Sequence, residues 1–154
     1  MKIELIEAYS HKEEVKALFQ EYTDMLIECD KDFKEYLNKQ NYDDELEHPE
    51  SKYGLPYGRL YLAFCDNELA GCIGLRKIDE ESCEMKRLYV RPDFRGKNIG
   101  SILIKKIIED TRSIGYKHIL LDTFRFFLLP CPSVYYTSHK FLMFLSYCHH
   151  SPAT

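Results

Sequence analysis

Apolar and charged residues alternate over positions 2–7, where Ile3 and Leu5 sit between polar neighbours, and that period of two predicts an opening strand. From Ser10 the period lengthens. Val15, Leu18, Phe19, Tyr22, Leu26 and Cys29 recur at helical spacing and predict one amphipathic helix. Ser10-His11-Lys12-Glu13 offers a capping box for its start, with the Ser10 hydroxyl accepting from the Glu13 N–H. Residues 30–50 are polar, with Phe33, Tyr36 and Leu37 marking a short second helix. Gly54 and Pro56 punctuate residues 49–58, which read as a loop.

Two apolar runs follow, at residues 60–64 and 69–75. Asp66-Asn67-Glu68 joins them, so they predict a hairpin. After a turn at residues 79–82 comes a third run over 83–90. Ile99, Ile102, Leu103, Ile104, Ile107 and Ile108 then form a broad helical face, stopped by Gly115, and residues 118–123 form a short apolar strand. A strand, helix and strand in that order predict a parallel, right-handed crossover. Antiparallel strands feeding one such crossover give an α/β class: a mixed, mostly antiparallel central sheet with helices on both faces.

Composition narrows the class. At 154 residues, with 45% hydrophobic and 30% charged, the chain has the make-up of one ordinary globular domain. A net charge of −4 disfavours a nucleic-acid surface. No apolar run reaches the length of a membrane span and the first residues are heavily charged, so no membrane role and a cytoplasmic location are expected. The six cysteines contain no CxxC pair, and adjacent His149 and His150 point apart, so neither a disulfide framework nor a metal site is expected.

Chemistry is most legible at the turn into the isoleucine-rich helix. Arg95-Gly96-Lys97-Asn98-Ile99-Gly100-Ser101 combines two cations, two glycines and a helix start, where unpaired N–H groups and the positive end of the dipole suit a phosphate. A Rossmann reading fails for lack of Gly-x-Gly-x-x-Gly after a first strand, and a Walker A reading for lack of Gly-Lys-Ser/Thr.

The segment Val90-Arg91-Pro92 followed by Arg95-Gly96-Lys97-Asn98-Ile99-Gly100 resembles the signature of the GNAT acetyltransferase superfamily, Arg/Gln-x-x-Gly-x-Gly/Ala. Asn98 replaces the first family glycine, and asparagine is the non-glycine residue that best tolerates positive φ. The resemblance implies an N-acetyltransferase domain over residues 1–154, with acetyl-CoA as cosubstrate and no metal. It also implies a diphosphate on the amides from Gly96 to Ser101, and a pantetheine arm paired, strand-like, along Leu88, Tyr89 and Val90.

The resemblance implies catalytic residues as well. Glu84 stands eleven positions before Arg95, the offset of the general-base glutamate in the histone-modifying branch, and alternation puts it on the face of Lys86, Leu88 and Val90. A surface ion pair with Lys86 or Arg87 is the competing reading of Glu84. Tyr135-Tyr136-Thr137-Ser138-His139-Lys140-Phe141 overlays on the family pattern Leu-Tyr-x-x-x-Gly-Phe, which makes Tyr136 the acid for the coenzyme A sulfur; the competing reading is a tyrosine packed in a helix bordering the cofactor. Lys140 replaces the family glycine, and the strand expected after a segment like Tyr147 to Pro152 is atypical or missing. An uncovered sheet edge there favours association, with a homodimer as one form.

The acceptor expected is a primary amine on a small molecule or peptide, with direct transfer and Cys83 as a core residue rather than an acyl carrier. The acidic residues between 43 and 50 mildly favour a cationic acceptor. Two alternatives stay open: a non-catalytic acyl-CoA-binding or interaction domain, and an acyltransferase using another acyl-CoA.

Overall fold

The structure is a computed structural model that describes residues 1–29, 31, 34–35, 38, 41–121, 134–137 and 140–144. Seven strands form one sheet: β1 (Ile3–Glu7), β2 (Arg59–Cys65), β3 (Glu68–Lys77), β4 (Ser82–Val90), β5 (His118–Leu121), β6 (Val134–Thr137) and β7 (Lys140–Phe144), in the spatial order β1-β2-β3-β4-β5-β7-β6. Among the described strands, β4 and β5 are the one parallel pair. Among the described residues the helices are α1 (Lys12–Cys29), α2 (Tyr42–Glu47), α3 (Pro49–Tyr53) and α4 (Ile99–Ile114), with a 3₁₀ turn at Pro92–Phe94.

The sheet is covered on both faces, as the alternation predicts. On one face Leu60, Leu62, Cys72 and Tyr89 pack with Val15, Leu18 and Phe19 of α1 and with Tyr53 of α3. On the other, Tyr61, Ala63, Ile73, Leu75, Cys83 and Met85 meet Ile99, Leu103 and Ile107 of α4. Neighbouring residues of β2 and β3 thus serve opposite layers. The β2–β3 turn puts Asp66 and Asn67 at φ 49° and 68°, the left-handed pair a tight hairpin requires.

Several expectations are corrected. Helix α1 starts at Lys12, so its cap is His11 rather than Ser10, and His11 Nδ1 meets Glu14 Oε1 at 3.4 Å. The capping pattern is displaced by one residue because Ala8 accepts the His11 N–H and holds the entry turn. Residues 49–53 form helix α3 where a loop was expected. Pro49 sits at its first position and is buried with Tyr53, so packing on the sheet decides the conformation. Strands β6 and β7 lie beyond the last strand that the sequence pattern predicts, and β6 puts Tyr136 on a strand rather than in the helix of its competing reading. Both are dominated by aromatic and other apolar residues, and β7 pairs antiparallel with β5. Phe33, Tyr36, Leu37, Thr123 and residues 145–154 lie outside the described residues.

Tyr53 packs against Gly74 of β3. A Cβ at Gly74 falls 2.8 Å from the Tyr53 ring, so the tyrosine occupies space that only glycine leaves free. Gly74→Ala is expected to lower stability by about 1–3 kcal/mol, read as a lower thermal midpoint.

Candidate active site

Strand β4 does not run evenly. Against β3, Cys72 pairs with Tyr89 and Gly74 with Lys86, so one residue of β3 faces two of β4, Arg87 and Leu88. Arg87 takes φ 57°, a left-handed conformation costly for a long side chain. The extra residue resets the alternation. Lys86 and Arg87 share the face of Glu84 and Tyr89, whereas Leu88 and Val90 pack with the α4 layer. The expectation that Glu84, Leu88 and Val90 share a face is therefore corrected, and the bulge is the cause.

Arg87 is heavily constrained. Its Nε donates to Glu45 Oε1 at 2.7 Å and its Nη2 to Glu45 Oε2 at 3.0 Å. Its guanidinium carbon lies 5.7 Å from the Phe19 ring centre and 5.4 Å from that of Tyr42. The Cys72 thiol donates to its carbonyl at 3.2 Å. Burial pushes that thiol up to about 12, so it is a donor and not a nucleophile. Glu45 is 0% exposed and also accepts from Lys52 at 2.6 Å and from the Tyr53 hydroxyl at 2.7 Å. Burial alone raises a carboxyl pKa, but Arg87, Lys52 and Tyr53 outweigh it and hold Glu45 at about 2.

Glu84 is likewise buried, 1% exposed, and accepts from Arg76 Nε at 2.5 Å. Its partner is thus Arg76, directly across on β3, rather than Lys86 or Arg87. Lys86 is 9% exposed, and burial lowers its pKa against the opposing pull of Glu84. Cys83 is buried and raised to about 11 by burial, in keeping with a core thiol.

The described parallel pairing with β5 covers residues 82–85 of β4. The C-terminal end of β4 leads into a cleft of about 440 Å³ lined by Val90, Phe94, Arg95, Gly96, Asn98, Ile99, Gly100 and Ser101. Gly96 at φ 78° and Asn98 at φ 65° shape the turn, and Asn98 caps α4 in the left-handed conformation its side chain tolerates. The N–H groups of Ile99, Gly100 and Ser101 occupy the first helical turn and have no intrahelical partner. Arg95 is exposed and donates to the Val90 carbonyl at 3.1 Å; the Lys97 ammonium rests 4.9 Å from the Phe94 ring centre. Arg91 clamps Glu21 of α1 through two bonds of 3.0 and 2.7 Å and so fixes the end of β4. The side chains of Leu88 and Tyr89 pack into opposite layers.

A bulged strand running into a donor-lined helix start forms the candidate site, and the chain as a whole matches known proteins. A family model described as the acetyltransferase (GNAT) family matches residues 15–127. The chain belongs to the GNAT acetyltransferase family. An uncharacterized N-acetyltransferase of Schizosaccharomyces pombe is 39% identical over 125 residues, covering 80% of this chain and 72% of the relative. One of Dictyostelium discoideum is 30% identical, covering 81% of this chain and 83% of its own. An acetyltransferase structure from Streptococcus agalactiae superposes with a TM-score of 0.64 over 93% of this chain and 98% of that one, at 19% identity. The PaiA N-acetyltransferase of Thermoplasma acidophilum, solved with coenzyme A, gives 0.62 over 92% and 97%, also at 19% identity. Both share the GNAT fold.

Within this GNAT domain, Glu84 and the residues from Leu88 to Ser101 lie along one strand and the turn that follows it. Tyr136 lies apart. It stands on β6 in a register line that runs through Phe141 and Leu121 to Met85, three strand spacings or about 14 Å from β4. Its side chain lies outside the described residues. The acidic run is mostly consumed: Glu45 by Arg87 and Lys52, Glu47 by Lys16 at 2.6 Å, Glu50 by Lys12 at 3.5 Å. Sequence reasoning missed Glu45, Arg76 and Arg87, and no local signal separates Glu45 from Asp43 and Asp44.

Glu45 also sets a pH dependence. Its folded pKa lies below the ordinary 4.5, so its contribution to stability is fully present above that value and is lost as pH falls toward about 2. Glu45→Gln is expected to cost about 3 kcal/mol at pH 7, with the deficit shrinking between pH 5 and 2 in denaturant titrations.

Proposed function

We propose that the protein is an N-acetyltransferase that moves an acetyl group from acetyl-CoA to a primary amine by direct attack. The helix-start cleft at the end of the bulged strand carries this reading. A diphosphate fits the amides of residues 96–101 with the α4 dipole behind them, beside the Arg95 and Lys97 charges. In this reading a pantetheine arm lies along the backbone of Leu88 to Val90 by strand-like hydrogen bonding, which brings the thioester to the bulge. Solved structures in the same fold hold coenzyme A, which supports a coenzyme A thioester as cosubstrate here.

In this reading the amine nitrogen attacks the thioester carbonyl carbon, the C–S bond breaks, and the acetylated amine and coenzyme A thiol are the products. Bulged residues leave main-chain groups outside the β3–β4 ladder, and a backbone N–H freed in this way is suited to meet the developing oxyanion. Glu84, oriented by Arg76, accepts the amine proton directly or through one water. The departing thiolate has an intrinsic pKa near that of an ordinary thiol, about 8.5, so it leaves without an obligatory acid. Because most of the acidic run is already paired, the acceptor's charge is not assigned to it.

A thiol-reporting assay over a panel of primary amines tests the activity. Release of coenzyme A thiol that depends on one class of amine supports it, and coenzyme A binding without release for any amine makes the domain a non-catalytic acyl-CoA binder. Arg95→Glu places a negative charge at the diphosphate site and is expected to weaken coenzyme A at least tenfold by calorimetry; unchanged affinity sinks the cofactor site.

Two substitutions test the proton transfers. Glu84→Gln is expected to reduce kcat by about 10²-fold or more, and a twofold effect removes Glu84 as the base. Tyr136→Phe is expected to leave kcat within about threefold, since about 14 Å of sheet separates it from β4; a 10²-fold loss makes it the acid after all.

A further inference from the structure

We infer that Glu45 is a positioning residue: through its two-pronged hydrogen bond to Arg87 it holds the β4 bulge in its reactive shape. The inference rests on the proposed acyl-transfer site and adds a residue to it that lies outside the cleft and outside the expected catalytic set. Glu45 belongs to α2, on the segment that walls one face of the sheet, yet its carboxylate reaches the one strained residue of β4.

Three features converge. The first is strain. A left-handed arginine persists only where its surroundings over-determine it, and Arg87 is held at its guanidinium by Glu45, at its flanks by Phe19 and Tyr42, and at its carbonyl by Cys72. The second is burial. Arg87 is 4% exposed and Glu45 is 0% exposed, so neither can trade the other for water. The third is redundancy on the carboxylate side. Tyr53 and Lys52 fix the same two oxygens that grip Arg87, which makes the acceptor of the fork rigid. Tyr53 in turn fills the space over Gly74, the β3 residue paired with Lys86 at the edge of the bulge. The helical wall and the bulge therefore form one connected unit. The diphosphate cleft at residues 94–101 is not part of it and is held separately, by the Asn98 cap and the Arg91–Glu21 clamp.

This separation makes the test specific. In Glu45→Gln the amide can accept only one of the two Arg87 bonds, so the bulge loosens while the cleft is untouched. Coenzyme A affinity by calorimetry is expected to stay within about twofold of the parent, while kcat falls about 10²-fold or more, the range seen when a positioned oxyanion donor is lost. Amide hydrogen exchange is expected to accelerate at the ladder pairs that flank the bulge, Lys86–Gly74 and Tyr89–Cys72, and to stay unchanged at Leu62 of β2. Glu45→Leu with Arg87→Met removes both charges without leaving either buried alone. It serves as the folded control, and it should show the same split between affinity and kcat.

Equal losses in coenzyme A affinity and kcat, or exchange that stays unchanged at the flanking pairs in both variants, overturn the inference. Should the parent protein acetylate no amine, the acyl-transfer reading falls, and the exchange comparison alone decides whether Glu45 holds the bulge.

Discussion

The extra residue in β4 is the constraint on which the site depends. A regular strand through residues 82–90 would send Lys86, Leu88 and Val90 to one face and Arg87 and Tyr89 to the other. The bulge puts Lys86, Arg87 and Tyr89 together over α1–α3 and frees Leu88 and Val90 to pack toward α4. One strand can then serve two purposes. Its first half is held between β3 and β5 and carries Glu84, while its second half leads into the start of α4.

Much of this architecture can be read from the chain because it follows from local chemistry. The β2–β3 hairpin is announced by Asp66 and Asn67, two residues able to take left-handed backbone. Helix α4 is announced by its isoleucine stripe, by Asn98 at its start and by Gly115 at its end. The phosphate-suited turn is legible for the same reason, since glycine and asparagine positions and a helix start are short-range features. Such elements owe little to distant partners, so a window of a few residues holds the information.

The remainder depends on contacts that span the chain. Nothing in Cys83-Glu84-Met85-Lys86-Arg87-Leu88-Tyr89-Val90 announces a skipped pair, because the residue that stabilises it, Glu45, lies forty-two positions earlier. Glu45 itself stands among Asp43, Asp44 and Glu47, which look like an exposed acidic face, and only burial under Tyr53 and beside Arg87 distinguishes it. Helix α3 fails for a related reason: Gly54 and Pro56 mark a turn correctly, but Pro49 and Tyr53 are pulled into a helical turn by the apolar pocket above Gly74. Segments whose conformation is set by packing rather than propensity are the ones a periodicity argument loses.

A buried ion pair is a weak source of stability, since desolvating two charges costs nearly what their attraction returns, and an apolar pair of similar volume often does as well. The Glu45–Arg87 pair therefore calls for a reason other than stability. An apolar side chain at position 87 would be content on either face of β4 and would not select φ 57° over a regular strand. A guanidinium with one rigid carboxylate within reach has a single satisfactory arrangement, because any other leaves a charge buried alone. The pair converts a weak preference into a unique conformation at the point where the strand must break its alternation. Specificity of backbone shape, rather than added stability, is what the two charges contribute to this acetyltransferase fold.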